Sequence, residues 1–79
     1  MTVYDIFTKE VCGKWVAEPV LVVTFNSLAA ASSYLEKYAE DCGNSLAMAF
    51  YRESTSRFMS GKCETFGVGA KRYCKAREI

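Results

Sequence analysis

The side chains with the most chemistry to offer in this chain are four cysteines, Cys12, Cys42, Cys63 and Cys74. Thiolates bind zinc or attack electrophiles, and paired thiols form disulfides. The spacing argues against a metal. Successive cysteines are separated by 29, 20 and 10 residues, whereas a four-thiolate zinc site draws its ligands as close pairs from tight turns. The chain contains no histidine, which removes the commonest metal ligand and the usual general base near neutral pH. A Ser-His or Cys-His nucleophile pair is therefore impossible within it. The expectation is a protein with no catalytic residue, no metal and no cofactor, in which Cys42 closes a helix stripe and the other cysteines act as small, semi-buried hydrophobes.

Two further sets of residues could recognise a partner. In the C-terminal third, Lys71, Arg72, Tyr73, Lys75 and Arg77 combine cations for phosphates with a ring for stacking on bases. Elsewhere Glu36, Glu40 and Asp41 form an acidic helix face, and Tyr51, Arg57, Phe58, Met59 and Lys62 supply aromatic, apolar and basic contact groups. These eight are the expected protein-binding residues. Residues 1–45 sum to −3 and residues 46–79 to +4, so a bipolar surface is possible although the net charge is only +1. A sequence pI near 7.6 lies below that of a committed nucleic-acid binder, which ranks the nucleic-acid reading second. Gly67-Val68-Gly69-Ala70-Lys71 has the composition of a phosphate loop, but no helix pattern follows it. Strand glycines, marking a bulge or the close approach of another backbone, fit better.

The elements that must position these groups follow from periodicity. Thr2 to Thr8 predicts a strand whose alternation is imperfect, because Asp5 falls between Val3 and Phe7 on one face. Lys9 to Gly13 predicts a turn, with Gly13 free to take positive φ. Lys14 to Phe25 predicts a strand interrupted at Pro19, either as a short edge strand before the proline or as a bend. After Pro19, Leu21, Val23 and Phe25 share one face and Val20, Val22 and Thr24 the other. Asn26 or Ser27 can cap a helix whose stripe is Leu28, Ala31, Leu35, Tyr38 and Cys42, ended by Gly43. Leu46 to Glu53 predicts a third strand, 54–62 a polar loop, and Cys63 to Tyr73 a fourth strand. The basic tail, 71–79, is expected to fray.

These elements predict one domain over residues 1–79: an α+β fold with a small antiparallel sheet and one amphipathic helix, in the order β-β-α-β-β. One helix cannot cover both sides of a sheet. The side bearing Val20, Val22, Ala47, Ala49 and Tyr51 is therefore expected to meet a partner or a second copy, or to be covered by the tail or by the 54–62 loop through Phe58 and Met59. No apolar run approaches the length of a membrane span. The start, Met1-Thr2-Val3-Tyr4-Asp5, lacks the pattern of an export signal, so a cytoplasmic location and reduced thiols are expected.

The format as a whole, a histidine-free chain of 79 residues in β-β-α-β-β order with no site motif, resembles small phage and mobile-element proteins of the anti-CRISPR inhibitor type. The resemblance covers the whole chain and carries no site residue across. It implies a non-enzymatic inhibitor in the host cytoplasm that covers a surface of a host nuclease or CRISPR surveillance complex. The second expectation is a small nucleic-acid-binding accessory or regulatory protein that uses the basic C-terminal third.

Overall fold

The computed structural model describes all residues except Glu10, Gly13, Ala17 and Ala70, and all described side chains except those of Val11, Cys12, Trp15 and Val16. The turn assigned to Gly13 therefore lies outside the described residues. Strand β1 (Thr2–Thr8) leads into a two-stranded hairpin of β2 (Val11–Cys12) and β3 (Trp15–Val16), and then into β4 (Val20–Phe25). Val11 and Cys12, expected within a turn, are thus in a strand. Pro19 separates β3 from β4, the short-strand outcome that its missing N–H favours.

β1 and β4 pair antiparallel with a bulge. Ile6 faces Val23 but Phe7 faces Leu21, so Val22 is the extra residue. The bulge breaks the alternation expected for β4. Val23 and Phe25 pack against the core, while Leu21 moves to the other side of the sheet, beside Phe7.

Helix α1 (Leu28–Asp41) starts where Ser27 Oγ accepts the Ala30 N–H at 3.1 Å. Gly43 follows it with φ of 70°, the left-handed geometry that ends helices. Ala31, Leu35 and Ala39 form its buried face. Cys42 is exposed, so Ala39 takes the place in the stripe expected for Cys42.

The largest departure from expectation follows Gly43. Residues 46–53 are not a strand and 54–59 are not a loop; together they form helix α2 (Ser45–Met59). Leu46 to Phe50 are all apolar, so a period of two and a period of 3.6 fit that window equally well. The longer pattern decides: Ala47 and Tyr51 are buried, Ser54 and Phe58 are partly buried, and these recur at helical steps. Leu, Ala and Met are also strong helix formers. Asn44, which looked like the exit of the first helix, caps the second by accepting the Ala47 N–H at 2.8 Å. The fourth predicted strand is a hairpin, β5 (Thr65–Val68) and β6 (Arg72–Glu78). The tail does not fray. β6 pairs with β1 on one side and β5 on the other, and Ile79 N–H donates to Met1 C=O at 2.9 Å.

The result is an α+β fold, a four-stranded antiparallel sheet in the order β4-β1-β6-β5 with two helices. Disregarding the β2–β3 hairpin, the order is β-β-α-α-β-β rather than β-β-α-β-β. Both helices contribute to one core, where Ile6, Leu35, Phe66 and Cys74 are fully buried. Ala47 and Tyr51, expected on a separate sheet face, belong to this core. Phe58 packs there too, 4.8 Å from the Phe66 ring. Phe58 of the 54–62 segment therefore packs on the core side of the sheet and not over the opposite side. Among the described residues no helix is long and apolar enough to cross a membrane.

Candidate binding face

The side of the sheet facing away from the helices is ordered in cross-strand rows. Ladder partners point to the same side of a sheet, and alternate residues to opposite sides. With Ile6, Cys74 and Phe66 in the core, the outward positions are Val3, Asp5 and Phe7 on β1, and Tyr73, Lys75 and Arg77 on β6. One row runs Leu21, Phe7, Tyr73, Gly67; the next runs Thr24, Asp5, Lys75, Thr65; Val3 and Arg77 face each other beyond. The first row is apolar and aromatic and the second is polar.

Phe7 and Tyr73 stack, with centroids 5.7 Å apart and planes at 27°. Both rings are half-buried, so each keeps contact surface for a ligand. They sit on the two central strands of the sheet.

In the polar row, Asp5 is only 5% exposed. Arg77 Nε donates to Oδ2 at 2.7 Å, Arg77 Nη2 to Oδ1 at 3.3 Å, and Thr24 Oγ1 to Oδ1 at 2.7 Å. These donors hold the Asp5 carboxyl below the usual carboxylate value, Arg77 most and Thr24 next, against the opposing pull of burial. Asp5 in turn raises Arg77. Lys75, opposite Asp5, is exposed. Lys71 is exposed in the β5–β6 turn, and its carbonyl accepts from Thr8 Oγ1 at 2.7 Å.

The aromatic row ends at Gly67. A Cβ there would lie 2.4 Å from the Arg72 carbonyl oxygen and 2.6 Å from Tyr73 Cα; this is the close backbone approach that the paired glycines suggested. Without a side chain at Gly67, a hollow of about 350 Å³ opens beside Tyr73, rimmed by Lys9, Cys63, Thr65 and Gly69. Its outer wall is Ser54 of α2. The Ser54 hydroxyl accepts from Gly67 N–H at 3.0 Å and lies 2.9 Å from Gly67 C=O and 3.0 Å from Tyr51 C=O, so its proton serves either carbonyl. This side chain occupies the hydrogen-bonding edge of β5 as a further strand would.

The cysteines separate by environment. Cys74 lies in the core, where burial and then the Asp5 charge push its thiol up to about 12. Cys63, exposed on the hollow's rim, is held below the ordinary thiol value by hydrogen bonding from Thr65, backbone first and hydroxyl next. Among the described residues, no group of three or more Cys, Asp or Glu side chains could hold a metal ion.

The expected nucleic-acid set is thus partly assembled. Tyr73, Lys75 and Arg77 share the open face. Arg72 does not: it points to the helices, where Nη1 donates to Tyr34 Oη at 2.7 Å and the guanidinium lies 4.7 Å from the Tyr38 ring centroid. The expected protein-binding set is scattered. Tyr51 is buried, its hydroxyl donating to Ser32 C=O at 3.0 Å, and burial raises its pKa. Phe58 is packed in the core and Arg57 pairs with Glu53 one helical turn away. Glu36, Glu40 and Asp41 are exposed together on α1, whereas Met59, also exposed, ends α2 and exposed Lys62 follows it. Sequence reasoning missed Phe7, Thr24 and Asp5. The signal for them was the broken alternation of β1, where a carboxylate among apolar residues marked the side that stays outside the core.

Comparison with protein-family models, curated proteins and solved structures finds no match to this chain.

Proposed function

We propose that this protein is a non-enzymatic binding module that holds single-stranded nucleic acid on the open face of its sheet. The observation that supports it is the Phe7–Tyr73 stack at the centre of that face, bordered by Lys75, Lys71 and Lys9. Single strands bind where rings on a sheet stack on splayed bases and cations follow the phosphates. Arg77 contributes less than a free cation, because Asp5 already holds it. With about three cations available, the logarithm of affinity falls with the logarithm of salt concentration with a slope of about −2.

Fluorescence anisotropy with labelled single-stranded DNA and RNA, over a salt series, tests the reading. Binding at low salt, weakened by Phe7→Ala and by rising salt, supports it. No binding of either polymer at low salt sinks it.

A second reading is the stoichiometric inhibitor of a host nuclease or surveillance complex that the anti-CRISPR resemblance implies, acting in the host cytoplasm. One observation favours it: Leu46 and Phe50, one turn apart on the outside of α2, are 68% and 57% exposed, an apolar pair of the kind that anchors protein interfaces. Capture of one stoichiometric protein partner, insensitive to salt and lost in Phe50→Glu, would favour it over the first. Self-association through the exposed β4 residues Val20, Leu21 and Val22 is the homodimer form, and light scattering tests it.

A further inference from the structure

The row Leu21, Phe7, Tyr73 stops where Gly67 has no side chain to continue it. Tyr73 has Phe7 beside it toward β1. Toward β5 it borders the hollow of about 350 Å³, which is within the size range of small-ligand sites. A flat ring placed there would extend the existing two-ring stack by one member. The chemistry around the hollow suits a base better than an aliphatic group. Lys9, Thr65 and Cys63 line it and carry an ammonium, a hydroxyl and a thiol that suit the polar edge of a base, and Lys75, opposite Thr65, can meet the phosphate joined to it. The Ser54 hydroxyl in its wall is occupied by Gly67 and Tyr51, so recognition falls to the rim.

We infer that the hollow beside Tyr73 seats one unstacked nucleobase of a bound strand, so that one nucleotide is gripped while its neighbours are only tracked along the polar row. This rests on the single-strand reading, and it adds a site at which base identity can matter.

The test uses the full chain and a short single-stranded oligonucleotide. Alkylation of Cys63 is followed by peptide mass spectrometry, with exposed Cys42 at the far end of α1 as the internal control. The expected result is Cys63 modification slowed several-fold by the oligonucleotide and unaffected by a strand of equal length made wholly of abasic sites, with Cys42 unchanged throughout. Thr65→Trp, which fills the hollow from its rim, is expected to weaken binding about tenfold, as loss of one base stack would. Tyr73→Leu gives a second variant should Thr65→Trp disturb β5. An oligonucleotide that binds but leaves Cys63 unprotected, with Thr65→Trp binding normally, overturns the seat and leaves the open-face reading standing, whereas normal binding by Tyr73→Leu counts against both. Protection by a nucleoside monophosphate as strong as that by the strand overturns it in favour of a free nucleotide. Absence of any strand binding removes the reading and the seat together.

Discussion

Arg77 reaches diagonally across the β1–β6 ladder to fork onto Asp5, with Nε 2.7 Å from one carboxylate oxygen and Nη2 3.3 Å from the other. The strand ladder sets Arg77 opposite Val3 and Lys75 opposite Asp5. The polar row therefore pairs its buried acid with the diagonal cation, and the directly facing lysine stays exposed. A carboxylate shielded this completely requires donors on both oxygens, and Thr24 completes the set.

The acid limb of stability should report this cluster. Hydrogen bonds from Arg77 and Thr24 hold the Asp5 carboxyl below the ordinary carboxylate value in the folded protein. A depressed folded pKa contributes stability that is present above the unfolded value and is lost as pH falls through the folded one. Asp5→Asn keeps the shape and removes the charge, and should cost about 1–2 kcal/mol at pH 7, the scale of a charge-assisted hydrogen bond partly open to water. Urea unfolding at pH 7 and at pH 2.5 measures it. The expected difference between variant and parent shrinks at the lower pH; an equal cost at both would show that the carboxylate's charge is not what stabilises the row.

Two neighbouring basic residues on β6 should behave oppositely. Arg72 faces the helices and is held by Tyr34 and Tyr38, while Lys75 faces outward. Arg72→Ala should lower stability by about 1–3 kcal/mol through the lost hydrogen bond and cation–π contact, and leave nucleic-acid affinity unchanged once the protein is folded. Lys75→Ala should leave the melting temperature unchanged and reduce the salt slope of binding by about 0.7. Paired thermal melts and salt titrations distinguish them. A stable Arg72→Ala, or a salt slope untouched by Lys75→Ala, would contradict the face assignment.

Much of this was legible in the residues, and the failures have a common cause. Strand β1, the Pro19 break, the Ser27 cap and Gly43 stop all depend on local chemistry, which a sequence displays directly. α2 was missed because Leu46 to Phe50 are uniformly apolar and carry no period of their own. The tail was missed because Lys71, Arg72, Lys75 and Arg77 look solvated, although Tyr73, Cys74 and Ala76 supply the inward and aromatic contacts of a central strand. Its neighbours, β1 and β5, are distant in sequence, so nothing local announces the pairing. The open face follows from these two corrections. With 46–53 in a helix, both helices pack on one side, and the side facing away is built from β1 and β6 rather than from Ala47, Ala49 and Tyr51.

Thiol reactivity should rank the cysteines as their surroundings do. Cys74 is buried with its pKa pushed up to about 12, so it should resist iodoacetamide at pH 8 in the native state and react only after denaturation. Cys63 and Cys42 are both exposed, but hydrogen bonding from Thr65 favours the Cys63 thiolate. Cys63 should therefore react faster than Cys42 near neutral pH, and Thr65→Val, which removes the hydroxyl donor while keeping the backbone N–H, should narrow the gap. Peptide-resolved alkylation rates between pH 6 and pH 9 give the answer. Rapid native labelling of Cys74 would place that strand outside the core.

The Ser54–Gly67 contact should matter more than its position at a sheet edge suggests. Gly67 N–H and C=O point away from β6, and the Ser54 hydroxyl meets both. Ser54→Ala leaves these two backbone groups without that partner on a half-buried edge, a loss of about 1–2 kcal/mol on the scale of an unmade buried hydrogen bond. Gly67→Ala is a different lesion. The added Cβ would collide with the backbone of Arg72 and Tyr73, and neither can move without parting the β5–β6 ladder, so the cost should reach about 3 kcal/mol or more, in the range diagnostic of overpacking and backbone strain. Hydrogen exchange separates the two. Ser54→Ala should speed exchange at the Gly67 amide with little change elsewhere, whereas Gly67→Ala should speed it along the whole of β5 and at the start of β6. A Ser54→Ala variant that leaves the Gly67 amide as protected as in the parent would mean that the helix does not shield the β5 edge through this hydroxyl.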